Sequence, residues 1–256
     1  MTQNETRVTA GMIVIGDEIL SGRTKDVNIG AVADFCTDLG IDLTEVRVVS
    51  DELDHIIEAV NALRARYTYV FTTGGIGPTH DDITADAVAA AFGVALPINA
   101  QARAMLEARW KQTGTEVNEA RLRMARIPEG ADLIVNSVSA APGFRIGNVH
   151  VMAGVPVIMR AMLEALAPTL KGSKKVSSIT IKCAVGEGTL GGPLAELQEK
   201  FPDVKMGSYP QMSRDEVMTE LVLRSSDEAR LAEAAEQVRA MVIAAHEKAG
   251  VSLPQE

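Results

Sequence analysis

At 256 residues, 46% apolar but only 4% aromatic, the chain can fill one large domain or a main domain with a smaller companion, with a core of Ala, Val, Leu, Ile and Met. Acidic residues number 34 against 25 basic ones, and a net charge of −9 gives no electrostatic pull on nucleic acid or on an anionic membrane. No apolar run approaches the ~18 residues of a membrane span, no signal-peptide pattern is present, and Cys36 and Cys183 lack CxxC spacing, so a cytoplasmic protein with reduced cysteines is expected.

Strand and helix patterns alternate from the start. VTAGMIVIG (8–16) predicts a buried strand, and DVNIGAVADFCTDLG (26–40) a helix with Asp26 or Asn28 as its cap and Gly40 as its stop. LTEVRVVS (43–50) reads as a strand, ELDHIIEAVNALRARY (52–67) as an amphipathic helix, TYVFTT (68–73) as a third strand and ITADAVAAAFG (83–93) as a helix. Residues 97–127 look helical throughout, DLIVN and NVHVMA are strand candidates with APGF between them, and residues 155–170 close the domain as a helix. Such alternation implies βαβ units and a mostly parallel sheet covered on both faces.

KGSKK (171–175) is the linker candidate, separating a domain over 1–172 from one over 176–252. The second reads as a small α+β module: strand VSSITIKCAV, a two-turn helix boxed between Pro193 and Pro202, strands VKMGSYP and EVMTELVLR, and a closing helix DEARLAEAAEQVRAMVIAAHEKAG. GEGTLGG (186–192) contains a literal GxGxxG and, at Gly188 and Gly191, a GxxG, but a helix so short is not a dinucleotide crossover, and the stretch reads as a turn. With 13 acids against 8 bases over 176–256, this module is not expected to bind nucleic acid.

Carboxylates gather where three expected strands end: Asp17 and Glu18 after MIVIG, Asp51 and Glu52 after VRVVS, Asp81 and Asp82 after TTGGIGPTH. Each of Asp17, Asp51 and Asp82 alone reads as a helix cap. Together, on the sheet edge where open α/β folds place ligands, they read as holders of a hard divalent cation. The backbone of Gly74, Gly75 and Gly77 would then receive phosphate, and the cation would supply the charge that a lysine supplies in other phosphate loops.

GDEILSGRTKDVN (16–28), VVSDE and TTGGIGPTHDDIT (72–84) together resemble the MoaB/Mog-type molybdopterin-binding fold, and the longer pattern is similar to the amino-terminal part of CinA. IPEGADLIVNSVSAAPGF, GVP and SYPQ extend the likeness over nearly the whole chain. The resemblance implies a three-layer α/β/α, mostly parallel sheet with a small α+β, KH-like second domain, and homo-oligomers, dimer or trimer. It implies functional aspartates at Asp51 and Asp82, with Asp17 joining them as metal ligand. It also implies a phosphate loop at Gly74, Gly75 and Gly77, and further ligand-facing residues at Asp17, Glu18, Ser21, Asn28, Thr73, Pro142 and Gly143. Three readings stay open: a Mg²⁺-, Mn²⁺- or Co²⁺-dependent pyrophosphatase on ADP-ribose or a similar dinucleotide, a Mog-type adenylyltransferase acting on molybdopterin, or a non-catalytic nucleotide- or pterin-binding module. Ala153, Ile158 and Ser139 stand where the family usually has proline, glutamate and glycine.

Overall fold

The computed structural model describes residues 7–174, 176–212 and 217–254, so the opening MTQNET, Lys175 of the linker stretch and Glu216 of the last expected strand lie outside it. The chain divides into two units, Met1–Ser173 and Lys174–Glu256, with the boundary inside KGSKK.

The first unit runs β1 (Thr9–Ile15), α1 (Asp17–Leu20), α2 (Asn28–Asp38), β2 (Asp42–Val49), α3 (Leu53–Arg64), β3 (Tyr69–Thr73), α4 (Thr84–Phe92), α5 (Ala100–Thr113), α6 (Glu119–Leu122), β4 (Asp132–Ile134), β5 (Gly143–Ile146), β6 (Val149–Met152) and α7 (Pro156–Leu166). The sheet order is β2-β1-β3-β6-β5-β4. Strands β2, β1, β3 and β6 pair in parallel, while β5 and β4 add antiparallel edges. Because side chains alternate along a strand, Ile13, Ile15 and Val70 pack with Ile56, Val60 and Leu63 of α3, Val88 of α4 and Leu106 of α5. Met12, Val14 and Phe71 face the other way, against Val32 and Cys36 of α2 and Met159, Met162 and Leu166 of α7. Two apolar layers on one sheet make the expected α/β/α sandwich.

Three expectations change in this unit. A strand, β5, lies where APGF offered only a connection. It is four residues long and follows a buried proline, and it turns into β6 through Gly147 at φ +55°. The stretch 97–127 is broken, because Gly114 ends α5 in the left-handed region and Asn118 caps α6 by accepting from the Arg121 amide. Asp26 does the capping before α2, accepting from the Ile29 amide at 2.8 Å, while Asn28 sits inside the helix.

In the second unit β7 (Ser177–Cys183), α8 (Glu187–Lys200), β8 (Lys205–Met212), β9 (Val217–Ser225) and α9 (Glu228–Ala249) form an antiparallel sheet of order β7-β9-β8 with two helices. The reading of GEGTLGG as a turn is corrected here, since α8 begins at Glu187 and runs through Pro193. Proline inside a helix removes one hydrogen bond and crowds the preceding turn. Leu190, Leu194 and Leu197 outweigh that cost by lying on one helical face against the core of Ile181, Leu221 and Leu223. In α9, Asp227 accepts from the Ala229 and Arg230 amides at the start, and Gly250 at φ +67° closes the end.

His150 of β6 is buried beside the rings of Tyr69 and Phe71, with centroids 5.8 and 5.4 Å away. Burial holds its pKa down, from 6.5 to about 4. The unfolded chain therefore takes up a proton below pH 6.5 that the fold refuses until about pH 4, and stability is lost across that window. We expect denaturant titrations to show a loss of roughly 2–3 kcal/mol from this group between pH 7 and pH 4.5, and a His150→Phe variant to lose that much less. An equal acid loss in the variant would show that His150 is not the proton acceptor.

Candidate functional site

Parallel pairing brings the ends of β1, β2 and β3 to one edge, so the segments that follow them meet there. Gly16 follows β1 and donates its amide to Val49 O at the end of β2. Gly74 follows β3 and donates to Met152 O at the end of β6. Gly74 and Gly75 hold φ +103° and +65°, where side chains are rarely accommodated. A Cβ on Gly74 would lie 2.1 Å from Ile15 O, and one on Gly75 would lie 2.1 Å from Thr84 Oγ1. Glycine is demanded twice over, by backbone angle and by space.

The rest of the loop is tied from within. Thr84 donates its hydroxyl to Gly74 O at 2.9 Å and its amide to Gly75 O at 3.0 Å. Asp82 accepts from the Gly77 amide at 2.7 Å through one oxygen, and from the amide (2.8 Å) and hydroxyl of Thr79 through the other. The carboxylate that closes TTGGIGPTHDD is thus the loop's own staple. What it leaves open are the amides of Gly75 and Ile76, which among the described residues have no acceptor. Two amides free in a glycine turn form the concavity that receives an anionic oxygen.

A cation is present as well, on the far side of the loop. Arg123, after α6, donates Nη2 to Asp82 O at 3.1 Å, and its Nε–H is buried without a partner. It lines a small hollow with Gly75, Gly77 and Asp82. Nothing in the spacing of RLRMARI singles this residue out, and sequence reasoning missed it.

A cleft of about 490 Å³ opens over the loop. Glu18, Asp51, Asp81 and Asp82 line it on the acidic side, and Met124, Ala141, Ala153 and Ile158 on the apolar side, with Ser139 and Gly154 between them. Asp51 accepts from the Asp17 amide, the first of α1, at 2.9 Å. Burial first, and then the charges of Asp17, Glu18 and Asp81, push the Asp51 carboxyl above the ordinary carboxylate range, against the help of that hydrogen bond.

The expected triad of Asp17, Asp51 and Asp82 is only partly assembled. Asp51 and Asp82 line the cleft, but Asp17 is exposed and does not, contributing its amide rather than its side chain. None of the three caps its following helix through its side chain, so the capping reading fails too. Among the described residues no group of three or more His, Cys, Asp or Glu is arranged to hold a metal ion. Ser21 is exposed at the end of α1, away from the cleft. Asn28 is buried and donates to Gly154 O at 2.8 Å, positioning the segment after β6. Thr73 is buried at the end of β3, Gly143 is packed so that a Cβ would meet Val151 O, and Pro142 lines the hollow beneath the loop.

Comparison with known proteins bears on the family and the fold. Residues 11–172 match the family described as "Probable molybdopterin binding domain", and residues 175–248 match that described as "FAD synthase, middle domain". A protein of Aeropyrum pernix is 34% identical over 219 residues, 82% of this chain and 81% of its own length. A CinA-like protein of Desulfosudis oleivorans is 34% identical over 77% of this chain but only 51% of its own length, so the match spans about half of that protein. The crystal structure of CinA from Thermoplasma acidophilum, a protein described as of unknown function, is 35% identical with a TM-score of 0.59, covering 64% of this chain and 98% of that one.

A charge raised in pKa by its surroundings opposes folding while ionised, and the penalty vanishes as pH falls below the folded pKa. Asp51→Asn keeps an oxygen for the Asp17 amide and removes the charge. Its melting temperature should therefore exceed wild type at pH 8 without added metal, with the gap closing near pH 4, whereas Asp82→Ala should lose about 1–3 kcal/mol with its three hydrogen bonds. Thermal denaturation at the two pH values checks both, and an Asp51→Asn protein less stable at pH 8 would contradict the assignment.

Proposed function

This chain belongs to the MoaB/Mog-type molybdopterin-binding family in its CinA-like form, and on that premise we propose that it hydrolyses the diphosphate of ADP-ribose or a similar dinucleotide with a divalent cation. The observation that carries the reading is the glycine turn: two amides without acceptors, fixed at the mouth of a cleft whose facing wall is carboxylate. Amides alone would suit any oxyanion. Carboxylates beside them repel a naked diphosphate and accept one only with a cation between.

The donor set fits such a cation. Mg²⁺ takes only one or two protein carboxylates beside phosphate oxygens and water. Asp51, with one oxygen free of the Asp17 amide, and neighbouring Glu18 meet that need, whereas Asp82 has both oxygens engaged in the loop. Mg²⁺, Mn²⁺ or Co²⁺, when bound, would neutralise the bridging phosphates. The chain's own residues do the rest. The Gly75 and Ile76 amides orient one phosphoryl oxygen, and Arg123 lends positive charge from beneath. Met124 and Ile158 offer an apolar wall to a ring. As water adds to phosphorus and the bond to the bridging oxygen breaks, a carboxylate of this edge that the cation leaves free, such as Asp81, takes the proton. ADP-ribose and water would leave as AMP and ribose 5-phosphate.

A Mog-type adenylylation of molybdopterin would use the same loop. The likeness of the second unit to the middle domain of an FAD synthase supports a dinucleotide instead. Self-association into a dimer or trimer and a cytoplasmic setting belong to the same proposal; among the described residues no helix is long and apolar enough to cross a membrane.

Incubation with ADP-ribose and Mn²⁺ should release AMP, a chelator should stop it, and Asp51→Asn should slow it about 10²–10⁴-fold. Gly75→Ala, which forces a Cβ against Thr84, should abolish phosphate binding in calorimetry. Tight nucleotide binding without turnover under every metal would leave a binding module in place of an enzyme.

A further inference from the structure

The antiparallel sheet of the second unit covers one face with α8 and α9 and leaves the other to solvent. Alternation assigns the residues: Ile181, Leu221, Leu223 and Met206 point into the core, so their neighbours in sequence point out. Register then aligns the outward residues in three rows across β7, β9 and β8. Ser178 stands opposite Arg224, and Arg224 opposite Lys205. Val222 lies between Thr180 and Gly207 in the middle row, and Glu220 between Lys182 and Tyr209 in the last.

Two features set this face apart. Arg224 and Lys205 are like charges directly across a strand pair, an arrangement that destabilises a sheet. Both are exposed, and among the described residues neither side chain has an ion-pair or hydrogen-bond partner. Among the described residues these three rows carry the cations Lys182, Lys205 and Arg224 against the acid Glu220, on a unit whose sequence is net acidic. Tyr209 is 54% exposed, and its ring lies back over Gly207, where a Cβ would meet ring atoms at 3.1 Å. An aromatic ring is held in water over a glycine rather than buried.

We propose that this open sheet face binds a nucleoside phosphate, with its phosphates against Arg224, Lys205 and the Ser178 hydroxyl and its base on Tyr209. Paired cations suit a phosphate that a lone one would hold poorly. In the opposite row Lys182 offsets Glu220, so the excess positive charge lies at Arg224 and Lys205, and Glu220 is left to accept from the amino or hydroxyl donors of base and ribose, which fixes the ligand's direction. The outer rows are four residues apart along β9, roughly 13 Å, a span a nucleoside diphosphate covers from base to terminal phosphate. Thr180, Val222 and Gly207 keep the path between them low and flat. The ligand chemistry resembles that proposed for the cleft of the first unit, but the face is a separate site and its case does not rest on that reading.

Calorimetric titration of the intact chain with ADP tests the assignment. We expect a class of ADP site that the Lys205→Ala/Arg224→Ala double variant removes and that Gly75→Ala, in the other unit, leaves intact. Tyr209→Ala should weaken ADP about tenfold, the low end of base–aromatic stacking, and leave inorganic pyrophosphate unchanged. All three positions are exposed and their loss should not disturb folding. An ADP isotherm unchanged in the double variant would overturn the site. Equal loss of ADP and pyrophosphate in Tyr209→Ala would refute base stacking. Oligoadenylate binding more tightly than ADP, with a steep salt dependence, would make single-stranded nucleic acid the occupant and overturn the assignment to a small molecule. Loss of the cleft's binding in Gly75→Ala alone bears on the first unit and not on this face.

Discussion

Everything at the cleft depends on how closely two backbones approach after β3. Gly74 lies against Ile15 O and Gly75 against the Thr84 hydroxyl, so that any side chain at either position collides with the end of β1 or the start of α4. This contact seats the turn on the sheet edge, with Gly75 and Ile76 lining the cleft. Thr84 and Asp82 then hold the turn by hydrogen bonds from its far end, which leaves little freedom to reorganise when an anion arrives. A site formed before its ligand loses less entropy on binding than one that must fold around it.

The electrostatics follow from that placement. A glycine turn with a built-in lysine binds phosphate without help, and its affinity rests on that one charge. Here the cation held against the loop is Arg123, which lines the hollow and not the cleft, while Glu18, Asp51 and Asp81 line the cleft. Its field reaches the bound oxygen but does not compensate the acids. The consequence is conditionality. On the proposed function, diphosphate would be admitted in company with a divalent ion and disfavoured without one, and the same ion would relieve the cost of ionising Asp51. The acids that make the empty cleft electrostatically costly are those that make the loaded one selective.

Much of the first unit was legible because the two periodicities are unlike. β1 and β3, buried on both faces, read as apolar runs, edge strand β2 shows alternation, and the helices between show their own spacing, so these strands with α3 and α4 fall where the pattern puts them. One short strand escaped: β5 has four residues, too few for any period to show, and APGF at its start read as a connection, whereas β4, of only three, fell inside the expected DLIVN strand. In α8, glycine and proline signals at 186–193 argued for a turn, and leucines at 190, 194 and 197 prevailed because burial of a continuous face exceeds the loss of one hydrogen bond. At the site, the glycines and carboxylates were visible as residue types, but their tasks were not. Asp82 looked like a ligand and is a staple, Asp17 acts through its amide, and Arg123 carries no local signature at all.

The departures from the family pattern are concentrated where they matter to a ligand. Ala153, Ile158 and Ser139, which stand for proline, glutamate and glycine in the resemblance, all line the cleft, and on the side away from Asp51. Replacing a carboxylate with Ile158 there removes one negative charge from the far wall and extends the apolar surface of Met124 and Ala141. The acid that remains is confined to the edge formed by β1, β2 and the glycine loop, which the parallel register holds together. A cation bound as proposed would therefore be drawn to that edge, and the rest of the ligand would meet an aliphatic surface that recognises a ring by its face and not by its hydrogen bonds. On the proposed function, chemistry at the phosphates and discrimination at the ring would fall to different residues of the cleft, so a chain of this kind could change what it accepts while keeping the loop that positions phosphorus.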